Sequence, residues 1–106
     1  MPEVDIQRGA MRALRSLGFW VIRFGVSRKR GPSGTHSGEK GMPDVFLPGL
    51  GFLEFKASEK DKLEPDQILW HAKAAKAGIN VEVVWTIEQA VNVALRWRGS
   101  QSRWRG

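Results

Sequence analysis

The 106-residue chain contains no cysteine, and this absence excludes two kinds of site. Without thiols the fold has no disulfide framework, and no thiolate is available to bind zinc. Histidine is scarce as well. Of the two histidines, His36 falls in a predicted loop and His71 on a predicted helix surface, and we interpret neither as a ligand. The length is that of one domain, large enough to bury a modest core.

Long hydrophobic runs are also missing from the sequence. No apolar run approaches the ~20 residues that a membrane-spanning helix needs. Residues 1–5 do not resemble a secretion signal. We therefore expect a soluble, intracellular protein that does not insert into a membrane.

A phosphate-binding loop of the nucleotide triphosphatases is absent too. The polar, glycine-rich segment before residue 42 offers the closest candidate, but Glu39 separates Gly38 from Lys40. Gly41 then stands where that motif requires serine or threonine. An enzyme that hydrolyses nucleoside triphosphates is not predicted.

Acidic residues are outnumbered by basic ones, 11 to 17, which gives a formal net charge of +6. Such a balance favours a polyanionic partner. The basic residues gather in segment 23–40 and in a tail, 98–106, where they could contact phosphates without reading base sequence. For the tail, a solubilising or poorly ordered end is the alternative. The candidate phosphate contacts are Arg28, Lys29, Arg30, Lys40, Arg103 and Arg105.

Hydrophobic periodicity predicts seven elements in the order αβββαβα. They are a helix over 4–17, strands over 19–24, 45–47 and 52–56, a helix from Pro65 to about Ile79, a strand over 81–85, and a last helix that Thr86 and Gln89 cap. This order predicts an α/β fold, a small mixed sheet flanked by helices. The predicted buried stripe of the second helix is Ile68, Ala72, Ala75 and Ile79. The predicted core comprises Val21, Phe46, Leu53, Phe55, Ile68, Val83 and Leu95.

The predicted hairpin carries an ionic pair on its second strand. Glu54 and Lys56 are two residues apart, so both side chains point to the same face of an extended backbone. Leu53 and Phe55 supply the apolar face. A solvated sheet face is the usual meaning of a Glu-x-Lys pattern, and a third ionic residue nearby favours a site instead.

That third residue is Asp44, which begins the preceding apolar run. Antiparallel pairing brings the start of one strand beside the end of the next. Facing residues share a side only when their numbers sum to an even value, so an odd loop such as 49–51 would join Asp44 to the pair. An even loop would need a bulge to do so.

The chemistry of two carboxylates and a lysine indicates a reaction. Carboxylates forced together repel, and a shared proton or a divalent cation relieves the repulsion. A hard cation also binds phosphate oxygens, and a lysine beside it can hold the attacking water or offset charge in the transition state. The set is suited to metal-assisted hydrolysis of phosphodiesters.

Several motifs together resemble the VRR-Nuc nucleases of the PD-(D/E)xK superfamily. The resemblance covers residues 3–95 and implies a restriction-endonuclease-like core. The matching segments are Gly41-Met42-Pro43-Asp44-Val45, Phe52-Leu53-Glu54-Phe55-Lys56, Leu63-Glu64-Pro65-Asp66-Gln67, and Ala77-Gly78 before Val81-Glu82-Val83-Val84.

The resemblance also implies roles for individual residues. Asp44, Glu54 and the backbone carbonyl of Phe55 would bind Mg²⁺ or Mn²⁺. Lys56 would be the catalytic lysine. Gln67 matches a glutamine that orients the site; the alternative is a surface residue in a first helical turn.

An acidic residue on the first helix often completes the metal site of this family. Glu3 is the better match, and Asp5 is the alternative. Alternatively, the negative charge of Glu3 or Asp5 only stabilises the start of the first helix. Glu3 and Gln7, four apart, would share one helical face.

The implied activity is that of a metal-dependent, structure-selective endodeoxyribonuclease. By resemblance to small phage-encoded nucleases, we expect a homodimer that resolves Holliday junctions in a bacterial or phage-infected cytoplasm. Residues 1–97 would form the nuclease domain and 98–106 the basic tail. The alternatives are a flap, nicking or restriction-type nuclease, or a catalytically inactive DNA-binding accessory protein.

Overall fold

The computed structural model of the protein describes residues 1–24 and 39–105, with side chains in the last helix described as far as residue 101. Four predictions fall outside these described residues, those for Arg28, Lys29, Arg30 and His36. The side chains of Arg103 and Arg105 fall outside them as well.

The described residues form three helices and one four-stranded sheet. In chain order the elements are α1 (Glu3–Ser16), β1 (Ile22–Arg23), β2 (Val45–Leu47), β3 (Gly51–Phe55), α2 (Pro65–Lys76), β4 (Val81–Val84) and α3 (Ile87–Arg105). The strands lie in the order β1-β2-β3-β4. The first two pairings are antiparallel, and β3 pairs with β4 in parallel. The predicted element order and the predicted small mixed sheet are confirmed.

One face of the sheet carries the main hydrophobic core, against α1 and α3. Because side chains alternate along a strand, Leu53 and Phe55 point to this face together with Val45, opposite Leu53 in the next strand. They pack with α1 and α3 residues such as Leu14 and Ala94. The predicted burial of Leu53 and Phe55 is confirmed.

The opposite face of the sheet is covered by α2 and carries a row of aromatic rings. The ring centroids of Phe24 and Phe46 lie 6.0 Å apart, and those of Phe46 and Phe52 lie 4.5 Å apart. Trp70 of α2 meets Phe52 edge-on at 5.0 Å. Alternation places Glu54 on this same face, two residues beyond Phe52, so the ionic residue lies beneath α2.

The starts of α2 and α3 follow from local capping chemistry. Pro65 occupies the first position of α2, where its missing N–H costs nothing. At α3 the predicted capping box is confirmed. The Gln89 backbone N–H donates to Thr86 Oγ1 at 3.0 Å, and the Thr86 N–H donates to Gln89 Oε1 at 3.1 Å.

The predicted buried stripe of α2 is wrong. Ile68 is 54% exposed, Ile79 is 42% exposed, and Ala72 and Ala75 are exposed as well. The helix instead turns Ala74 and its polar and aromatic residues Gln67, Trp70 and His71 toward the sheet. The physical reason is that the sheet face beneath α2 carries the Glu54 carboxylate, which takes polar partners rather than an aliphatic stripe.

Other predicted core positions also differ from the structure. Leu95 is exposed, and α3 buries Ala90, Val93 and Ala94 instead. Phe46 and Val83 are only half-buried. The cause at Leu95 is a shift of about one residue in the face that α3 presents to the core.

The last helix, α3, continues through residue 97 to Arg105 and contacts the rest of the fold. Arg98 lies over the Phe19 ring, 4.1 Å from its centroid, and donates to the Leu17 carbonyl at 3.2 Å. Gln101 donates to the Gly49 carbonyl at 2.8 Å. Among the described residues, no helix is both long and apolar enough to cross a membrane.

Candidate active site

The hairpin register satisfies the parity condition for a shared ionic face. Leu47 pairs with Gly51 and Val45 with Leu53, which leaves a three-residue loop at 48–50. The same register carried one residue further sets Asp44 opposite Glu54. Gly49 supplies the positive φ of +80° that the tight loop requires. The loop therefore has an odd number of residues, as the parity condition requires. It begins one residue earlier than the loop 49–51 that the sequence analysis used as its example.

Glu54 is buried at the centre of the sheet, and both of its carboxylate oxygens contact α2. Its strand is paired on both sides, and the residue is 6% exposed. Gln67 Nε2 donates to Glu54 Oε2 at 3.2 Å. His71 Nε2 lies 3.3 Å from Glu54 Oε1. The ionic face predicted from the hairpin is thus covered by a helix and is not a solvated sheet surface.

Gln67 connects the three parts of the site. Its Oε1 accepts a hydrogen bond from Lys56 Nζ at 3.1 Å and another from the Glu64 backbone N–H at 2.8 Å. The second bond belongs to a capping box in which Glu64 also caps the first turn of α2. One amide therefore fixes the helix start, holds the ammonium of Lys56 and binds the carboxylate of Glu54.

His71 is a member of this cluster that the sequence interpretation missed. It lies one helical turn after Gln67, at the i, i+4 spacing that places two side chains on one face. Burial, and then the positive charge of Lys56, lower the pKa of His71 below its usual 6.5. A neutral imidazole is favoured, so the contact with Glu54 is a hydrogen bond rather than an ion pair. The spacing from Gln67 was the signal in the sequence.

The pKa of Glu54 is raised from 4.5 to about 7. Burial is the largest cause, because a carboxylate loses its hydration beneath α2. Lys56 acts in the opposite direction and lowers the pKa, whereas the negative charges of Asp44 and Glu3 raise it. Such a perturbed acid beside a lysine is typical of a functional site, although structural ion networks also perturb acids.

The structure distinguishes the two acidic candidates on α1 by position. Glu3 lies near enough to Glu54 to raise its pKa. Asp5 instead lies beside Arg8, with 3.9 Å between Asp5 Oδ1 and Arg8 Nη1. The geometry favours Glu3 over Asp5, and a metal-binding role for Glu3 stays a prediction.

The chemistry of these carboxylates fits a hard divalent cation, but they are not gathered into a ligand shell. Among the described residues, no three His, Cys, Asp or Glu side chains are grouped so that they could hold a metal. The negative charges of Asp44 and Glu3 nevertheless repel that of Glu54 and raise its pKa. A bound cation would relieve this repulsion. Each Glu54 oxygen has one hydrogen-bond partner and keeps a further lone pair that could bind a cation.

Two further predicted residues lie at the edges of the cluster. Phe55 ends β3 between Glu54 and Lys56, with its side chain in the core. Lys40 contacts Asp66 at the start of α2, with 3.3 Å between Lys40 Nζ and Asp66 Oδ2, and is largely exposed. The predicted role of Lys40 in DNA binding is not tested by this contact.

A mixed sheet between helices, with buried Glu54 on β3 and Lys56 directly after that strand, fits the nuclease-like α/β fold that the motifs predicted. Among solved structures, the chain is similar to one described as a VRR_NUC domain. The two share 29% identity and a TM-score of 0.63, over 86% of this chain and 91% of the other. A scan of protein-family models and a search of curated proteins give no match.

The resemblance that the motifs predicted is therefore confirmed, and the chain has the fold of a VRR-Nuc nuclease domain. The similarity extends over nearly the full length of both chains, so it is not limited to the short motifs. The individual roles of Asp44, Glu54, Lys56 and Gln67 remain predictions that their geometry supports.

Proposed function

We propose that this chain is a Mg²⁺- or Mn²⁺-dependent endodeoxyribonuclease that is selective for DNA structure and resolves Holliday junctions. The observation that carries the proposal is the buried Glu54 carboxylate, joined to Lys56 through the single amide of Gln67. A simple ion pair between Glu54 and Lys56 would not need the Gln67 amide between them. The arrangement keeps an acid and an ammonium close together without neutralising contact between them.

Asp44, Glu54 and the backbone carbonyl of Phe55 would hold the cation, with Glu3 as an additional acid. When bound, the cation supplies charge for the phosphate oxygens and makes a coordinated water more acidic. What the chain itself contributes is the fixed position of the acids. The hairpin register sets Asp44 beside Glu54, and the paired central strand prevents Glu54 from moving away.

Lys56 would act on the phosphate or on the attacking water. Its ammonium is held at 3.1 Å by Gln67 Oε1, so it is oriented before substrate binds. A positive charge fixed in advance stabilises the negative charge that develops in the transition state. Gln67 and His71 act as positioning residues, because they hold the two oxygens of Glu54 rather than the substrate.

The decisive variants are Asp44→Asn, Glu54→Gln and Lys56→Ala. Each is expected to reduce DNA cleavage by at least ~10²-fold, the usual effect of removing one charge-stabilising group, while DNA binding persists. Exposed Glu88 and Lys60 provide matched controls, so Glu88→Gln and Lys60→Ala should cleave like the wild type. Circular dichroism checks the fold. Full cleavage by all three site variants would contradict the proposal.

A homodimer is part of the proposal, because resolving a four-way junction needs two cuts and one chain provides one site. A two-fold dimer supplies both. The apolar stripe exposed along α2 supports this. Leu69 is 64% exposed and lies beside exposed Ile68, Ala72 and Ala75, with exposed Ile79 just beyond the helix end. Sedimentation is expected to give the mass of two chains; a monomer at concentrations that resolve junctions would contradict this part.

Two rival functions are separated by direct measurements. A flap, nicking or restriction-type nuclease would prefer flap or linear duplex DNA over a four-way junction when the three are compared in Mg²⁺ and Mn²⁺. A catalytically inactive DNA-binding accessory protein would bind no divalent cation in calorimetry. The cluster of Glu54, Lys56 and Gln67 favours the active enzyme over this second rival.

A further inference from the structure

Four arginines surround a concavity of about 360 Å³ on the α1 side of the molecule. Arg8, Arg12 and Arg15 come from α1, and Arg23 comes from the end of β1. Gln7 also lines it. Arg23 begins the basic segment 23–40 predicted to contact phosphates, but none of these five residues is among the six candidate contacts named from the sequence.

The fold explains why these arginines face one another. Residues 8, 12 and 15 follow the i, i+4, i+7 spacing of a single helical face. Arg23 pairs with Val45, whose side chain packs in the core beside α1. Since directly opposed residues on neighbouring strands share a face, the side chain of Arg23 extends toward α1.

Much of this positive charge is not neutralised by the protein. Arg15 donates to the Val21 carbonyl at 3.0 Å, and Arg8 has one long, exposed contact with Asp5. Within residues 1–24 and 39–101, Arg12 and Arg23 make no hydrogen bond or ion pair. A charged helix face is usually only solvated, so a second observation is needed to indicate a ligand.

Gln7 provides that second observation. It is 5% exposed, yet its amide has no hydrogen-bond partner among the described residues. Buried side-chain amides are normally bonded. No fully enclosed polar atom lacks a partner in the described part of the chain, so the Gln7 amide must open onto the concavity that it lines. A buried amide that faces four guanidinium groups is suited to an anionic, hydrogen-bonding ligand.

The concavity lies close to the candidate active site. Glu3, which acts on the pKa of Glu54, is one helical turn before Gln7 on α1. From Arg8 to Arg15 the helix rises ~10 Å, about the axial rise of three phosphates in one strand of a duplex at ~3.4 Å each. A DNA strand that leaves the candidate active site along α1 would therefore pass all four arginines.

We propose that this concavity binds the sugar-phosphate backbone of one DNA strand next to the site at Glu54. Guanidinium groups bind phosphate oxygens in bidentate fashion, and a neutral amide adds a hydrogen bond that fixes register. The inference rests on the proposed nuclease function for its substrate. Its test measures binding alone, so the two can fail separately.

The experiment uses a fluorescently labelled four-way junction, with chelator present so that no cleavage occurs. Affinity is measured by anisotropy between about 50 and about 200 mM salt for the wild type and for the double variant Arg12→Gln/Arg23→Gln. Losing two phosphate contacts should flatten the log–log salt slope by ~1.8. Over that range the wild type should therefore lose about twelvefold more affinity than the double variant.

The matched control is Lys60→Gln/Lys62→Gln, which removes the same charge from exposed positions between β3 and α2. It should keep the salt slope of the wild type. The inference is overturned if the arginine variant and this control have the same slope and affinity.

Gln7→Met preserves side-chain volume and should weaken binding without changing the salt slope, because a neutral amide releases no counterion. Unchanged affinity would contradict placement of the DNA strand in the concavity.

Cleavage of the same junction, measured separately in Mg²⁺, distinguishes the two proposals. Arginine-dependent binding without any cleavage would contradict the nuclease function and support the DNA-binding concavity. Cleavage combined with arginine-independent binding would support the nuclease function and contradict the DNA-binding concavity.

Discussion

Burial of Glu54 predicts that removing its charge stabilises the protein. In Glu54→Gln the side chain keeps its shape and can still bond to Gln67 and His71, but no carboxylate has to ionise beneath α2. We expect the variant to be more stable than the wild type above neutral pH and little changed in acid. A gain in stability from altering a proposed catalytic acid is the mark of a site that is strained in the absence of substrate and metal.

The magnitude follows from the pKa of Glu54, raised from 4.5 to about 7. Between these values the folded state binds a proton that the unfolded chain has released, so stability falls as pH rises from 4.5 to 7 and is level above. At about 1.4 kcal/mol for each pH unit, the ionised carboxylate costs about 3 kcal/mol at pH 8. His71 acts in the opposite sense. Because its pKa is lowered, the folded state loses stability as pH falls through 6.5.

The assay is urea unfolding followed by tryptophan fluorescence, at about pH 5 and pH 8 with chelator present. Glu54→Gln should gain a few kcal/mol over the wild type at the higher pH only. Glu82→Gln is the matched control, because Glu82 is a half-exposed carboxylate 3.6 Å from Arg96, and it should change stability by less than ~1 kcal/mol. Equal stability of Glu54→Gln and wild type at pH 8 would refute the reasoning. A saturating divalent cation should reduce the difference by stabilising the wild type alone.

Two smaller predictions follow from the contacts around α2. Gln67→Ala removes the capping bond and the link between Lys56 and Glu54, so unfolding measurements should show a loss of ~1 kcal/mol and cleavage assays a loss of ~10²-fold; unimpaired cleavage would refute the bridging role. Gly41→Ala forces a side chain into φ +85° and against the Asp66 carbonyl oxygen, whereas Gly18→Ala at φ +89° meets no neighbour. Thermal unfolding should show about 1–2 kcal/mol lost at Gly18 and clearly more at Gly41; equal losses would show that the contact with Asp66 is harmless.

Features set by short-range chemistry were predictable from the sequence. The Thr86–Gln89 capping box, Pro65 at a helix start and the hairpin around 48–50 depend only on neighbouring residues. The parity rule then connected loop length to the position of Asp44. These local features determine which ionic residues share a sheet face, so most of the candidate site was visible before the fold was known.

The orientation of α2 was not predictable from periodicity, because two faces of that helix were plausible. The apolar stripe through Ile68 and Ile79 indicated one face, and the partners of Glu54 required the other. Choosing between them requires knowing that a buried carboxylate lies beneath the helix. His71 was missed for the same reason, because its i, i+4 spacing from Gln67 indicates a role in the site only when the orientation of α2 is known.

The most direct test of the central claim is cleavage of a labelled four-way junction by the purified chain. Mg²⁺ or Mn²⁺ should produce paired cuts by the wild type, chelator should stop them, and Lys56→Ala should bind the same junction without cutting it. The account is contradicted if the wild type leaves the junction intact with both metals, or if Lys56→Ala cuts it at the wild-type rate.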